Sequence, residues 1–301
     1  MSQKIKNLKI IYRKLKISDY EKFKDLFYAC FKKKISFEFF KWRYFSDKSS
    51  FCYGAFSSSN LIANVGMVAV KLNNNEKIFS RHSSMVLKQY RSIGIFSNLL
   101  EKVKKKFFKN IRLVIMWPNK NNFANFGIDR KNIIKKKYYL YKTSSLNNSS
   151  KKINYPINEI TMFKNFIKNN LNFFLKNFNY FKKRYTNYKK HEYTINRFQF
   201  KKFTSFFIIK RNKDKTGFNY VVLDHFGSKK IISEHLSNLI TNYNNLIFIS
   251  EKEINKPDHK LLDFINFKIG LIKKININEK KTILDKKEIF LGDTDIFLTI
   301  R

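Results

Sequence analysis

Apolar residues along this chain recur at alternating and at helical spacings, in an order that repeats. Leu8 to Leu15 alternates weakly and predicts an edge strand. Ser18-Asp19-Tyr20-Glu21 has the form of a capping box, with Ser18 as the cap and Glu21 reaching back. The helix it opens carries Phe23, Leu26, Phe27, Cys30 and Phe31 on one face, and Phe37 to Tyr44 predicts a short second helix. Phe51 to Phe56 and Leu61 to Leu72 predict strands joined by the turn Ser57-Ser58-Ser59-Asn60, and Asn73-Asn74-Asn75 turns the chain into a strand from Lys77 to Leu87. Next comes an amphipathic helix. Ile95, Phe96, Leu99, Leu100, Val103 and Phe107 share a face, while Lys102, Lys104, Lys105 and Lys106 mostly fall elsewhere. Ile111 to Trp117 is an apolar run with one arginine, suited to a buried parallel strand. A short turn or helix with Phe123 and Phe126 closes at Gly127, and Ile133 to Lys142 returns as a strand.

Thr143 to Lys152 is rich in Ser and Asn and reads as a linker. Glu159 to Tyr188 is helical and dense in Phe and Lys. A basic amphipathic helix of this kind suits an anionic membrane or a lipid-linked substrate, but aromatic residues on more than one face argue for burial and favour a helix that packs the two halves together. The order of the first part then recurs. Thr204 to Arg211 and Phe218 to Phe226 pair as a hairpin, Ser228 caps a helix running to about Tyr243, and Leu246 to Ser250 is a strand. Pro257 to Phe267 predicts a helix with proline in its first turn, Ile269 to Ile275 a strand, and Ile289 to Ile300 the final strands around Gly292-Asp293-Thr294-Asp295. The expected fold class is α/β with a mixed sheet. The expected domains are 1–145, a connecting segment 146–190, and a second half 191–301.

The stretch that carries chemistry is Val86-Leu87-Lys88-Gln89-Tyr90-Arg91-Ser92-Ile93-Gly94-Ile95-Phe96, a strand end, a turn and a helix start. Unpaired backbone N–H groups and the positive end of the helix dipole at Gly94 suit an anion, and the missing side chain lets a phosphate approach the backbone. Tyr-Arg-x-x-Gly-Ile-Phe after a strand ending in Val resembles the acyl-CoA pyrophosphate loop of the GNAT N-acetyltransferase superfamily. Arg91 and Gly94 match that pattern, and Phe96 stands where a small residue is commoner. Element order and loop together extend the resemblance over Ile10 to Thr143. The Gly-Ile-Phe variant and the late Gly-Asp-Thr-Asp are similar to motifs of two-part GNAT proteins in bacterial surface-glycan pathways. The second half resembles a degenerate GNAT-like half, as in Fem-type aminoacyl transferases. At the loop position it has only Asp224-His225-Phe226-Gly227-Ser228, so it is expected to help form the acceptor site rather than bind CoA.

The resemblance implies an acyl-CoA-dependent N-acyltransferase in which an amine attacks the thioester directly, with acetyl-CoA as co-substrate and no metal. It implies a cofactor site of Met85, Val86, Leu87, Arg91, Ser92, Ile93, Gly94, Ile95 and Phe96, with Asn119 or Asn122 against the pantetheine arm. His82 is a candidate base on the strand before the loop. The short helix where many relatives carry a tyrosine acid has none, which brings forward Tyr138 or water and leaves an inactive binding protein open. Candidates on the acceptor side are Trp42, His225, Asp293 and Asp295. Trp42-Arg43-Tyr44 is similar to a motif near the acceptor in related proteins, and an aromatic core anchor explains it as well. The expected acceptor is a small amine, such as a nucleotide- or lipid-linked amino sugar of an envelope glycan.

Composition adjusts this picture in two places. The 301 residues carry a formal net charge of +40, which invites a nucleic-acid partner and hence the alternative of a basic nucleic-acid-binding protein on an inactive GNAT-like core. The lysines are nevertheless spread along the whole length, and Lys, Asn, Ile, Phe and Tyr dominate while Ala, Gly and Pro are scarce, as an AT-rich genome produces. Nucleic acid is therefore the less expected partner, and membrane contact at most peripheral. With two cysteines, Cys30 and Cys52, and no apolar run near the roughly 18–20 residues of a membrane span, a cytoplasmic protein is expected. Phosphate-loop, nucleophile-elbow and zinc-protease signatures are missing from the sequence.

Overall fold

The computed structural model describes residues 9–71, 77–108, 111, 113–116, 133–143, 163, 165, 166, 181, 185, 193–214, 217–227, 231–243, 245–250, 253, 254 and 259–271. They fall into two compact units. The first draws on 1–70, 77–135 and 268–274, and the second on 71–76, 136–267 and 275–301.

The first unit is a sheet with helices on it. Strands β1 (Ile10–Lys14), β2 (Phe51–Ser57), β3 (Asn60–Lys71), β4 (Lys77–Val86) and β5 (Leu113–Met116) lie side by side in that order. β1, β2 and β3 pair antiparallel, with a register shift between Ala55 and Phe56. β4 and β5 pair in parallel, Ser80 facing Ile115. A parallel pair needs a crossover, and helix α3 (Ile95–Phe107) supplies it. The face expected for α3 is the one it buries: Ile95, Leu99, Leu100 and Val103 pack with Tyr53, Ile62, Val65, Phe79 and Val114.

Helices α1 (Tyr20–Phe31) and α2 (Phe37–Phe45) meet through aromatic rings, Phe23 lying 4.7 Å from Phe40 and 5.7 Å from Tyr44. The expected cap at Ser18 is not formed. Ser18 is exposed, and the turn Ile17–Asp19 before α1 is closed one residue later by Asp19. Its carboxylate accepts the Lys16 N–H at 2.8 Å and both terminal nitrogens of Arg13 at 2.7 Å. An ionic, bidentate acceptor outcompetes a hydroxyl for that role. α2 is capped as a serine should cap, with Ser36 Oγ accepting the Phe39 N–H at 3.2 Å.

The second unit holds strands β6 (Ile133–Thr143), β7 (Tyr193–Phe200), β8 (Phe203–Asp214), β9 (Gly217–Gly227) and β10 (Leu246–Ser250), ordered β6-β10-β9-β8-β7. β7, β8 and β9 form an antiparallel meander, and β9 pairs with β10 in parallel across helix α4 (Ile232–Asn242). This strand–helix–parallel strand repeats β4–α3–β5, as the repeated sequence order anticipated. The core holds Tyr141, Phe207, Val222, Leu239 and Phe248. β7 escapes a reading of apolar alternation because Tyr193 to Phe200 mixes half-buried polar and aromatic residues. From the basic aromatic segment, Phe163 and Phe181 are buried, and the Phe163 ring lies 5.2 Å from Phe206 and 5.0 Å from Phe226. Those rings are core, as the multi-sided aromatic pattern suggested.

The helix expected at Pro257 to Phe267 is overturned. His259–Leu271 is a strand, β11, and Lys268–Leu271 pair antiparallel with β5 of the first unit. The same pairing absorbs the start of the strand expected at Ile269. A free edge of β5 offers ladder hydrogen bonds along the segment, and such tertiary pairing overrides local helix signals. Ser228, the linker at Thr143 to Lys152 beyond its first residue, and the final strands at Ile289 to Ile300 lie outside the described residues. No described helix is long and apolar enough to cross a membrane.

Candidate active site

The turn between β4 and α3 is built by its backbone. The Leu87 N–H donates to Ile62 O at 3.0 Å and ties the end of β4 to β3. A 3-10 turn, Lys88–Tyr90, follows, with Tyr90 N–H on Leu87 O at 2.9 Å. Two residues then take positive φ, Ser92 at 64° and Gly94 at 81°. The first helical bond of α3 runs from Asn98 N–H to Gly94 O at 2.9 Å, so the N–H groups ahead of Asn98 have no carbonyl of their own helix to meet. A Cβ added at Gly94 meets no atom within 4 Å apart from its chain neighbours. Its φ therefore demands the glycine, and beside it lies open space. Successive N–H groups around left-handed residues at a helix start make a concave anion site.

That space is a cavity of about 700 Å³. β4 lines it with Ser84, Met85 and Val86, the turn with Tyr90, Arg91, Ser92 and Gly94, and α3 with Ile95, Phe96 and Ser97. Of the residues named from sequence, Met85, Val86, Arg91, Ser92, Gly94, Ile95 and Phe96 meet here. Leu87 and Ile93 pack instead against the apolar cluster beneath α3. Asn119 and Asn122 lie outside the described residues. Arg91 is exposed, and its Nε donates to Val86 O at 3.1 Å.

Sequence reasoning missed Ser84, Tyr90, Ser97 and two residues from α1, Cys30 and Phe31. Ser97 had a readable signal, its place in the first turn of α3. Cys30 and Phe31 had none, because only the packing of α1 against β4 brings them here. The Cys30 thiol donates to Val86 O at 3.5 Å, and burial pushes its pKa up while Arg91 pulls it back.

Upstream, β4 is interrupted. Ser83 has a φ of 44°, against the extended values of a strand. It is held from two sides: Tyr44 Oη lies 2.5 Å from Ser83 Oγ, and Asn64 Nδ2 donates to Ser83 O at 3.1 Å. Beyond the break three successive residues, Ser84 to Val86, line the cavity, where a regular strand presents alternate ones. One residue earlier, Arg43 Nη2 lies 2.8 Å from His82 Nδ1, and both side chains are buried. The motif Trp42-Arg43-Tyr44 thus sets its second and third residues on His82 and Ser83. Trp42 is buried, with its ring 5.2 Å from Phe39. Arg81, also buried, has its guanidinium pushed down to about 10 by desolvation and remains charged at neutral pH.

The other sequence candidates belong to the second unit. Tyr138 is buried on β6. His225 is buried on β9, with its ring 4.7 Å from Phe207 and 6.5 Å from His235. Asp293 and Asp295 lie outside the described residues. Where the first unit ends its strand with a basic turn, β9 carries Asp224, whose carboxylate accepts the Tyr185 hydroxyl at 2.5 Å. Among the described residues no group of three or more His, Cys, Asp or Glu is placed to hold a metal ion.

Residues 11–127 match the family model described as Acetyltransferase (GNAT) domain. No curated protein is similar to the chain in sequence at a significant level. Solved structures share the fold over most of the chain. A GCN5-related N-acetyltransferase from Anabaena variabilis aligns with a TM-score of 0.60 at 8% identity, covering 88% of this chain and 73% of the other. A putative acetyltransferase from Pyrococcus horikoshii gives 0.53 at 11% identity, covering 89% and 92%. Eis1 from Mycobacterium abscessus gives 0.52 at 8% identity, covering 88% and 74%. Residues 11–127, which include the Arg91-to-Gly94 turn, thus match a GNAT acetyltransferase domain.

Proposed function

We propose that this chain transfers the acetyl group of acetyl-CoA to a primary amine, and that the amine belongs to an amino sugar or related precursor of an envelope glycan. One observation carries the donor half: the left-handed turn at Ser92 and Gly94 opens into the cavity, with no atom but those of its chain neighbours within 4 Å of the glycine's missing Cβ. The backbone N–H groups from Ser92 to Ser97 receive the pyrophosphate, and the start of α3 adds its dipole. Arg91 supplies a cation at the turn. Ser84, Met85 and Val86 hold the pantetheine arm, with their peptide groups in reach of its amides. The amine nitrogen attacks the thioester carbon, a C–N bond forms as the C–S bond breaks, and the amine's proton leaves while the thiolate gains one.

His82 is the proposed base. In the geometry described, Arg43 donates to Nδ1, so the neutral ring carries its proton on Nε2. To accept a proton from the amine, the ring must let go of Arg43. Tyr138 is the proposed acid, and Trp42, His225, Asp293 and Asp295 the proposed acceptor contacts. The acceptor class is supported by the resemblance of Gly94-Ile95-Phe96 and Gly292-Asp293-Thr294-Asp295 to motifs of surface-glycan GNAT proteins. Free thiols at Cys30 and Cys52 suit the reducing cytoplasm, where acetyl-CoA is supplied.

The test is calorimetric titration with acetyl-CoA, followed by a panel of amino sugars read out by thiol release. Binding in the micromolar to sub-millimolar range with turnover on an amino sugar is expected. Absence of acetyl-CoA binding at millimolar ligand overturns the reading.

A further inference from the structure

We propose that Tyr44 and Asn64 are positioning residues that clamp Ser83 in its left-handed conformation and thereby aim Ser84, Met85 and Val86 into the cavity. A strand has no intrinsic reason to hold a serine at a φ of 44°; that side of φ is disfavoured for residues with a Cβ and persists only where neighbours enforce it. Both neighbours here are buried. Tyr44 is 1% exposed, and its ring fills the space above β3 that Gly66 leaves by lacking a side chain: a Cβ there would come within 2.6 Å of the ring. Asn64 is fully buried on β3. The tyrosine hydroxyl takes the serine side chain and the asparagine amide takes its carbonyl, so the residue is held at both ends.

The consequence lies one residue further on. With the alternation broken at Ser83, Ser84, Met85 and Val86 all line the cavity, along the path proposed for the pantetheine arm. The effect on acetyl-CoA affinity rests on the function proposed above; the clamp on the strand does not.

Two variants of one residue separate a backbone clamp from simple loss of a hydrogen bond. Ser83→Ala and Ser83→Gly both remove the hydroxyl, but only glycine takes positive φ without penalty. Ser83→Gly is expected to bind acetyl-CoA at least fivefold more tightly than Ser83→Ala. Tyr44→Phe, which keeps the ring in its slot, is expected to resemble Ser83→Ala, and adding Ser83→Gly to it to recover most of the loss. In the ligand-free protein, amide hydrogen exchange across Ser84 to Leu87 is expected to be several-fold faster in Tyr44→Phe and Ser83→Ala than in the parent. Equal affinity of the alanine and glycine variants, or unchanged exchange in both Tyr44→Phe and Ser83→Ala, overturns the clamp. If the parent protein binds no acetyl-CoA, the proposed function fails, and the exchange rates alone decide the clamp.

Discussion

Arg43 on α2 and His82 on β4 meet inside the first unit, with Nη2 of the arginine 2.8 Å from Nδ1 and 3.3 Å from Nε2 of the ring. A guanidinium has no lone pair to offer, so the imidazole nitrogen facing it must be unprotonated. The pair therefore joins the motif on α2 to the strand that feeds the cavity. It also gives the proposed base a partner that competes for its lone pair.

The variant that separates these roles is His82→Gln. Its amide oxygen still accepts from Arg43, but the side chain no longer titrates. If His82 takes the amine's proton, kcat should fall by about a hundredfold, in the range general-base catalysis supplies. The acid limb of its pH profile should flatten, and the acetyl-CoA dissociation constant should stay within about twofold. Unchanged kcat would assign His82 to structure alone.

His235 gives the second unit a pH-dependent stability. Its Nε2 donates to Asn196 Oδ1 at 2.7 Å, and Nδ1 lies 2.7 Å from Ser205 Oγ. The ring is fully buried, and desolvation, with a smaller contribution from His225, lowers its pKa from 6.5 to about 3. Between those values the unfolded chain binds a proton that the folded protein refuses, so this group's effect on stability worsens as pH falls from about 6.5 toward 3. From pH 7 to pH 5 the loss should be about 2 kcal/mol. Denaturant melts at the two pH values check it. His235→Gln, which keeps an amide in the network, should be less stable at pH 7 but show a shallower slope.

The strand–turn–helix of the donor site was legible because its signals are local. Arg91 and Gly94 sit three residues apart, the helical face of α3 follows at once, and Gly94 has the positive φ that its place suggested. The repeat of that unit at β9–α4–β10 was legible for the same reason. What escaped depends on residues distant in sequence. Nothing near Cys30 says that its thiol reaches Val86 O, and nothing near Tyr44 says that it reaches Ser83. β11 shows the stronger form of this limit: a segment with a proline before it and helix-compatible residues became a strand because β5 needed a neighbour. At Ser18 the error was smaller. The turn was read correctly, but Asp19, with Arg13 on it, took the role.

The net charge of +40 leads to a separate measurement. If RNA binds this surface, its affinity should collapse by orders of magnitude between roughly 50 and 200 mM salt, because each phosphate contact releases a counterion. Acetyl-CoA, held by backbone N–H groups in a cavity, should weaken by less than about tenfold over the same range. RNA binding with that salt dependence, and no acetyl-CoA binding, would favour a nucleic-acid-binding protein.

Gly94 offers the most local test of the donor site. A Cβ at this position meets no atom within 4 Å apart from its chain neighbours, so the first added carbon of Gly94→Val is accommodated by the fold. Its direct structural cost is the strain of a branched residue at a φ of 81°, about 1–2 kcal/mol, which a denaturant melt should report. The branched group does enter the open space beside the turn, where Gly94 lines the cavity. If pyrophosphate docks there, several charge-assisted hydrogen bonds are lost together, each about 1.5–3 kcal/mol, and acetyl-CoA binding should weaken at least a hundredfold. Gly94→Ala carries much of the backbone strain with less bulk and should fall between the parent and the valine variant in affinity. Calorimetry on the three proteins orders them. A valine variant that loses stability as expected yet binds acetyl-CoA like the parent would move the phosphate site away from the Arg91-to-Gly94 turn.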